Sequence, residues 1–469
     1  MISASSPTII PADRRTRNPL ITEAGFRMFD RIRQHPPAPK WNYEVGDRIM
    51  AEDLPYVEAM CRTVFEERPS CGPMQGPSII QWVRERRLKS VLFQELLPEG
   101  LDPEKDWFHI PPMSREDIAV HPEHIVPLDL DLTRLIVYDT SGTTGHALVV
   151  PYHPRSVAQN HPLMEFVLSR YGIKPEFGPD MVACFNVGAR AETVVFPNVF
   201  SVWNQAGFAK INLKPKDWVN IEQAREFCRD LRPFFLTGDP VAFSEMWRWE
   251  IPVRPAAMIS TAVTLNPVLK AKLEAEYHCP VIDWYSTTET GPVAYACPLG
   301  NGLHILPPDI FVEAVDEQGA PLSSGMRGEL AITGGRNPFL PLLRYRTGDF
   351  GRLDFHPCPC GDPAPRIVDF EGRADTYFRA VDGSIVNPVD VSRVFRQFAI
   401  VRHQVNQRAD MSLEVTIRPA PGCLVDSTLI VKGLQDLFGA GAKIMVRIEE
   451  FQWESSGGGK VIPFSSELG

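Results

Sequence analysis

The chain lacks several features that would assign its class at once. It has no run near the roughly 18 apolar residues needed to span a bilayer, so no membrane partner is expected. Basic residues are not in excess: 48 Lys and Arg stand against 58 Asp and Glu, a net charge of −10. Without a cationic surplus there are few counterions to release, which argues against a nucleic-acid partner. Neither G-x-x-x-x-G-K-[S/T] nor a G-x-G-x-x-G after a strand occurs. That removes the P-loop and dinucleotide-binding classes. The nine cysteines are odd in number and mostly scattered, which fits reduced thiols in a cytoplasm better than a disulfide framework. No basic segment followed by an apolar one opens the chain, so no signal peptide is expected and the expected location is cytoplasmic.

What is present reads as an ordinary globular protein. The 469 residues are 44% apolar and 23% charged, and that length implies two or more domains. The 44 prolines are accompanied throughout by aromatic and aliphatic residues, so they mark ordered loops.

From Met181 a βα rhythm sets in. "MVACF", "PFFLTG", "AAMIST" and "PVIDWYST" read as buried strands, and "NIEQAREFCRDLR" and "NPVLKAKLEAEY" as helices between them. Asn266 is the expected N-cap of the second, with Pro267 at its first position. This alternation predicts a parallel sheet covered on both faces, with ligands beyond the strand C-termini. After Gly300 the texture turns to β. Beyond Phe370, "NPVDVSRVFRQF", "SLEVTIRP", "DSTLIVKGLQDLFG" and "KIMVRIEEF" alternate helix and strand. The expected fold is α/β: a large N-terminal α/β domain and a small, lid-like α+β one.

Five short motifs carry the chemistry. "TSGTTG", Thr140–Gly145, sets glycines among hydroxyls between two apolar runs. Backbone N–H groups in such a turn form an anion nest, and hydroxyls add rotatable donors. "WYSTTETG" places Tyr285 four residues before Glu289, an aromatic face suited to a purine and a carboxylate suited to Mg²⁺. "RYRTGD" ends in Asp349, able to accept two ribose hydroxyls. "GRADTY", Gly372–Tyr377, lies where composition changes, and Lys460 follows three glycines. Each has a plain structural alternative: a polar turn, a core Tyr with a surface Glu, a β-turn, a linker, a solvated lysine.

Their order is more specific than any one of them. TSGTTG, Y-x-x-x-E, Y-R-T-G-D, G-R-x-D and a late G-K together resemble the adenylate-forming superfamily of acyl-CoA synthetases, luciferases and peptide-synthetase adenylation domains, in particular its phenylacetate-CoA ligase branch. The resemblance runs from about Pro111 ("PPMSREDI") to Lys460. It implies a division at 1–372 and 373–469, with ATP, Mg²⁺ and coenzyme A as cofactors and co-substrate and a small carboxylic acid as partner; the oligomeric state stays open, a homodimer included. It further implies that Thr140, Ser141, Gly142, Thr143, Thr144 and Gly145 hold the β- and γ-phosphates. Tyr285, with Thr288 beside it, would pack on adenine, and Glu289 would ligate Mg²⁺. Asp349 and Arg373 would hold the ribose. Asp375 would be the hinge of a rotating C-terminal domain, and Lys460 would reach the substrate carboxylate and the α-phosphate.

The pattern also departs from that family. His146-Ala147 stand where Lys or Arg and then Pro are usual, Ser286 where Gly follows the aromatic residue, and "STAVT" (Ser260–Thr264) lacks an acidic residue. These departures bear on the acid and the acceptor more than on ATP. An amine, a carrier-protein thiol or nitrite-dependent diazotisation of an arylamine are alternative acceptor chemistries; a non-catalytic nucleotide-binding homologue is a third reading. An aromatic acid is expected from the branch resemblance, with Phe185, Phe196 and Phe200 as an apolar slot. Finally, Cys297, His304, Cys358 and Cys360 offer four soft ligands in two clusters, suited to a structural, tetrahedral Zn²⁺, with His356 as an alternative to His304.

Overall fold

The computed structural model describes residues 10–67, 76–140, 148–307, 309–372, 378–449 and 464–468, without the side chains of Glu67, Asp139, Thr140 and Val389. Twenty strands in chain order organise it: β1 (Ile136–Thr140), β2 (Leu148–Tyr152), β3 (Val182–Gly188), β4 (Phe196–Phe200), β5 (Ala206–Asn212), β6 (Phe235–Gly238), β7 (Ala257–Ser260), β8 (Val281–Thr287), β9 (Gly291–Ala296), β10 (Leu303–Ile305), β11 (Ile310–Val315), β12 (Arg327–Gly334), β13 (Leu342–Asp354), β14 (Arg366–Glu371), β15 (Phe378–Arg379), β16 (Ile385–Val386), β17 (Ile400–Gln407), β18 (Leu413–Pro419), β19 (Ile444–Ile448) and β20 (Phe464–Ser466).

Twelve of these form one sheet in the order β4-β5-β3-β6-β7-β8-β9-β10-β14-β13-β12-β11. Its first half is parallel through β5, β3, β6, β7 and β8, with β4 antiparallel at the edge. The helices expected from the sequence lie between these strands. Ile221–Leu231 starts at Asn220, whose side chain accepts from Gln223 N, and Pro267–Tyr277 starts at Asn266, which accepts from Val268 N and Leu269 N. Both caps satisfy backbone donors that a helix start leaves without a partner.

Each face of the parallel half buries its own core. On one side Phe185, Val187, Ile211 and Leu236 pack with Phe227, Phe243 and Leu269 of the helices, and with Phe29 and Ile32 of the helix Glu23–Arg33. On the other, Cys184, Phe235, Ile259 and Trp284 meet Leu163, Phe166 and Val167 of the helix Pro154–Arg170. Strands buried on both faces are why the sequence shows continuous apolar runs here rather than alternation.

The second half, β9 to β11, is antiparallel. From Phe378 onward the described chain builds a separate sheet in the order β19-β18-β17-β20, packed on the helices Pro388–Phe395 and Ser427–Phe438 around Phe378, Val391, Phe395, Ile417 and Leu434. β19 pairs parallel with β18, and β20 parallel with β17, connections that strand patterning alone does not show. Ala399, Val401 and Ala420 reach the large core, and Asn266 Nδ2 donates to Phe395 O at 3.1 Å. Among the described residues no helix is long and apolar enough to cross a membrane.

Candidate functional site

Two of the expected nucleotide residues, Tyr285 and Asp349, meet near the end of β8. Tyr285 is the fifth residue of β8 and Asp349 lies in β13, with β9, β10 and β14 between the two strands in the sheet. Yet Tyr285 Oη donates to Asp349 Oδ2 at 2.8 Å. Only a strongly curled sheet brings strands so far apart in order into contact, so this half wraps into an incomplete barrel. Tyr285 packs its ring on Phe370, centroids 4.4 Å apart. Both partners of the hydrogen bond are buried.

The backbone of "RYRTGD" shows why that motif is needed. Gly348 has φ +76°, a conformation side chains resist. Its N–H donates to Glu329 Oε1 at 2.9 Å, while Thr347 Oγ1 donates to Leu330 O and receives Asp349 N. The register between β12 and β13 shifts here. A bulge of this kind re-aims a side chain, and the side chain it aims is Asp349.

Glu289 follows β8 in a turn tied by Thr290 N donating to Thr287 Oγ1, and Tyr152 Oη donates to Thr288 O at 2.8 Å. The Glu289 carboxylate is buried. Its Oε1 accepts from Arg115 Nη1 at 3.0 Å and from Tyr345 Oη at 3.2 Å. Arg115 begins a short helix held by a capping box between Ser114 and Asp117. Neither contact of Glu289 was expected from the sequence: Arg115 stands there only within "PPMSREDI", where the resemblance begins, and Tyr345 within "RYRTGD". A further buried pair, Arg344 Nε to Glu313 Oε1 at 2.8 Å, fastens β13 to β11 beside the motif.

Thr140 ends β1 and pairs with Leu148 across the hairpin; Ser141, Gly142, Thr143, Thr144 and Gly145 lie outside the described residues, as do Arg373, Asp375 and Lys460.

The expected apolar slot needs one correction. Phe185 is wholly buried and stacks on Phe227, centroids 5.4 Å apart, whereas Phe196 packs 6.1 Å from Phe208 and Phe200 5.0 Å from it. Successive strand residues point to opposite faces. Phe185 therefore faces the core on one side of the sheet, while Phe196 and Phe200 face the other. Phe185 is a packing residue, and no single slot includes all three rings.

The cysteine–histidine group is assembled. Cys297 follows β9, His304 lies in β10, and Cys358 and Cys360 lie between β13 and β14. Their candidate ligand atoms all lie within 4.8 Å of one another. Cys297 Sγ and Cys358 Sγ are 3.6 Å apart, and Cys360 Sγ is 3.1 Å from His304 Nε2. Four ligands at the usual Zn–S length of about 2.3 Å place sulfurs roughly 3.8 Å apart, so the spacing fits tetrahedral zinc. His304 Nδ1 sits 3.0 Å from Ala364 O. That carbonyl needs the proton on Nδ1 and leaves the Nε2 lone pair facing the thiols, the usual outer support of a metal-bound imidazole. Burial also pushes the His304 pKa down, toward the neutral form that ligates. His356 is 89% exposed and hydrogen-bonds Asp354, so of the two histidines it is His304 that joins the group.

No protein-family model matches the chain. It is 39% identical over 124 residues to an acetyl-coenzyme A synthetase of Wolinella succinogenes, a match covering 24% of this chain and 18% of that protein. It is 31% identical over 126 residues to a phenylacetate-coenzyme A ligase of Thermus thermophilus, covering 25% and 28%. Protein CapK of Staphylococcus aureus is 22% identical over 297 residues, covering 61% of this chain and 63% of that one. The matches thus span less than two thirds of each relative. Among solved structures, 2-hydroxyisobutyryl-CoA ligase in its postadenylation state superposes with a TM-score of 0.64 at 14% identity, covering 91% of this chain and 96% of that one. The same ligase in its thioesterification state gives 0.51 at 15% identity, covering 92% and 97%. The chain thus shares local identity with two coenzyme A ligases over about a quarter of its length, and its fold with a 2-hydroxyisobutyryl-CoA ligase over nearly the whole of it.

Proposed function

We propose that the protein is an AMP-forming acid ligase: it joins a carboxylic acid to ATP as an acyl-adenylate, releases pyrophosphate, and passes the acyl group to coenzyme A. The observation that carries this reading is the Tyr285–Asp349 hydrogen bond beside the buried Glu289. It supports the reading because Tyr285 and Asp349, the residues proposed for adenine and ribose, meet near the C-terminal end of β8, with Glu289, the residue proposed for Mg²⁺, in the turn that follows. The solved neighbours support it, since they are named as ligases in complex with acyl-AMP, and in one case with coenzyme A. In this reading Glu289 holds Mg²⁺ in exchange for its ion pair with Arg115, and residues Thr140–Gly145 hold the phosphates. Arg373 shares the ribose with Asp349. Residues 373–469 form the small domain, turning about Asp375 to bring Lys460 in for adenylation and away for thioester formation. Positioning and charge stabilisation suffice for this chemistry. The acid is aromatic, its ring lying near Phe196 and Phe200, and Cys297, His304, Cys358 and Cys360 hold a structural zinc. Pyrophosphate release with a panel of aromatic and aliphatic acids, with and without coenzyme A, tests the reading. Release that needs acid and ATP, with thioester only when coenzyme A is added, is expected; no release with any acid overturns it.

A further inference from the structure

On the face of the parallel sheet that meets the helix Pro154–Arg170, one row of residues crosses four strands. Phe196 of β4 is in register with Lys210 of β5, Lys210 with Asn186 of β3, and Asn186 with Thr237 of β6. Residues in such a row point to the same face. Phe208, two before Lys210, packs on this same face with Phe200 and Phe196. Asn186 Nδ2 donates to Thr237 Oγ1 at 2.9 Å, so those two groups are paired with each other. The row lies near the C-terminal ends of β3 and β6, where the acid would enter.

Lys210 is the anomaly in it. Its side chain is half-buried, and it makes no hydrogen bond or ion pair among the described residues. Burial, and then the Arg190 guanidinium, push its pKa down. Its charged neighbour is thus a cation. Asp239, which follows β6, is already engaged: it caps the helix Pro240–Arg248 through Ala242 N and lies 3.6 Å from Arg190. A lysine stem laid along apolar surface with its head in water would account for the methylenes. It would not account for a half-buried ammonium whose one charged neighbour is another cation, Arg190, itself paired with Asp239, an arrangement that an arriving anion relieves.

We infer that Lys210 is an anion subsite at the far end of the acid-binding crevice, so that the substrate carries a second carboxylate distal to the one activated. This rests on the adenylation reading above. β5 and β8 are separated by β3, β6 and β7, four strand spacings of roughly 4.8 Å, or about 19 Å in all. The acid that reaches Lys210 from the nucleotide end is therefore extended. Its middle passes Phe196 and Phe208, and its far carboxylate meets Lys210, with Arg190 adding to the field.

The test measures pyrophosphate release with matched pairs of acids: 4-carboxycinnamate with cinnamate, biphenyl-4,4′-dicarboxylate with biphenyl-4-carboxylate, and suberate with octanoate. The protein is used as wild type, Lys210→Met and Lys210→Arg, each checked by thermal melting. The expected result is a kcat/KM at least about tenfold higher for the diacid in one or more pairs, as one charge-assisted hydrogen bond supplies. Lys210→Met should abolish that preference while sparing the monoacid, and Lys210→Arg should keep it. Monoacids used as well as or better than every diacid, or equal losses on both in Lys210→Met, would overturn the subsite and leave adenylation standing. No pyrophosphate release with any of the acids would overturn both.

Discussion

Replacing Cys358 by serine removes one thiolate from a group that spans two β segments, and the cost follows from the chain it closes. Cys297 and Cys358 are 61 residues apart in sequence and their sulfurs 3.6 Å apart in space. A cross-link closing a loop of that length removes about 4 kcal/mol of entropy from the unfolded chain, and a metal held by both ends acts on the same quantity. Serine offers a poor zinc ligand, so Cys358→Ser should forfeit most of that. Purified wild type should carry one zinc per chain, measured by plasma mass spectrometry, and the variant far less. Melting followed by fluorescence should show a drop of several degrees, and a strong chelator should lower wild type to the variant's level while leaving the variant unchanged. Three further results bear on it. The partner substitution Cys297→Ser should reproduce the loss, the double variant should cost no more than either single one, and His356→Ala should change nothing. A metal-free wild type whose melting is unaffected by chelator would refute the reasoning.

Asp349→Ala should raise the KM for ATP by about 10- to 100-fold, the loss of charged hydrogen bonds worth roughly 1.5–3 kcal/mol, and Tyr285→Phe should do so more mildly by freeing Asp349 Oδ2; unchanged ATP kinetics in both would make the pair purely structural. Lys460→Ala should cripple acyl-AMP formation by about 10²–10³-fold while sparing thioester formation from supplied acyl-AMP, and Asp375→Pro should do the reverse; equal damage to both steps counts against a rotating domain. Burial pushes the Glu165 carboxyl up from 4.5 to about 7, against the pull of the hydrogen bond from Trp203 Nε1 at 2.8 Å. Because the folded value is the higher one, its stabilising contribution is complete below about 4.5 and is lost as pH rises through 7. Glu165→Gln should therefore flatten the decline in melting temperature from pH 5 to pH 8 and melt above wild type at pH 8, by up to ~3 kcal/mol; parallel pH profiles would exclude Glu165 as the cause.

Local order was legible from the sequence because it depends on neighbours in the chain. The caps at Asn220 and Asn266, the buried strands Val182–Gly188 and Val281–Thr287, and the change of texture beyond Phe370 are all set by side chains a few positions apart. The candidate nucleotide residues were chosen by identity and order alone, and of these Tyr285 and Asp349 are brought into contact. What the tertiary structure decided concerns contacts across long separations. The curl that puts Tyr285 on Asp349 depends on the whole antiparallel half of the sheet. The pairing of Glu289 with Arg115 joins residues 174 positions apart, and that of Cys297 with Cys358 depends on two loops meeting. The face on which a phenylalanine lands is also decided there: Phe185 and Phe196 look equivalent in sequence. One register step separates Phe185, in the core against Phe227, from Asn186, beside Lys210 and Phe196. A strand alternates its faces residue by residue, but which face meets a helix core and which a crevice depends on what packs there.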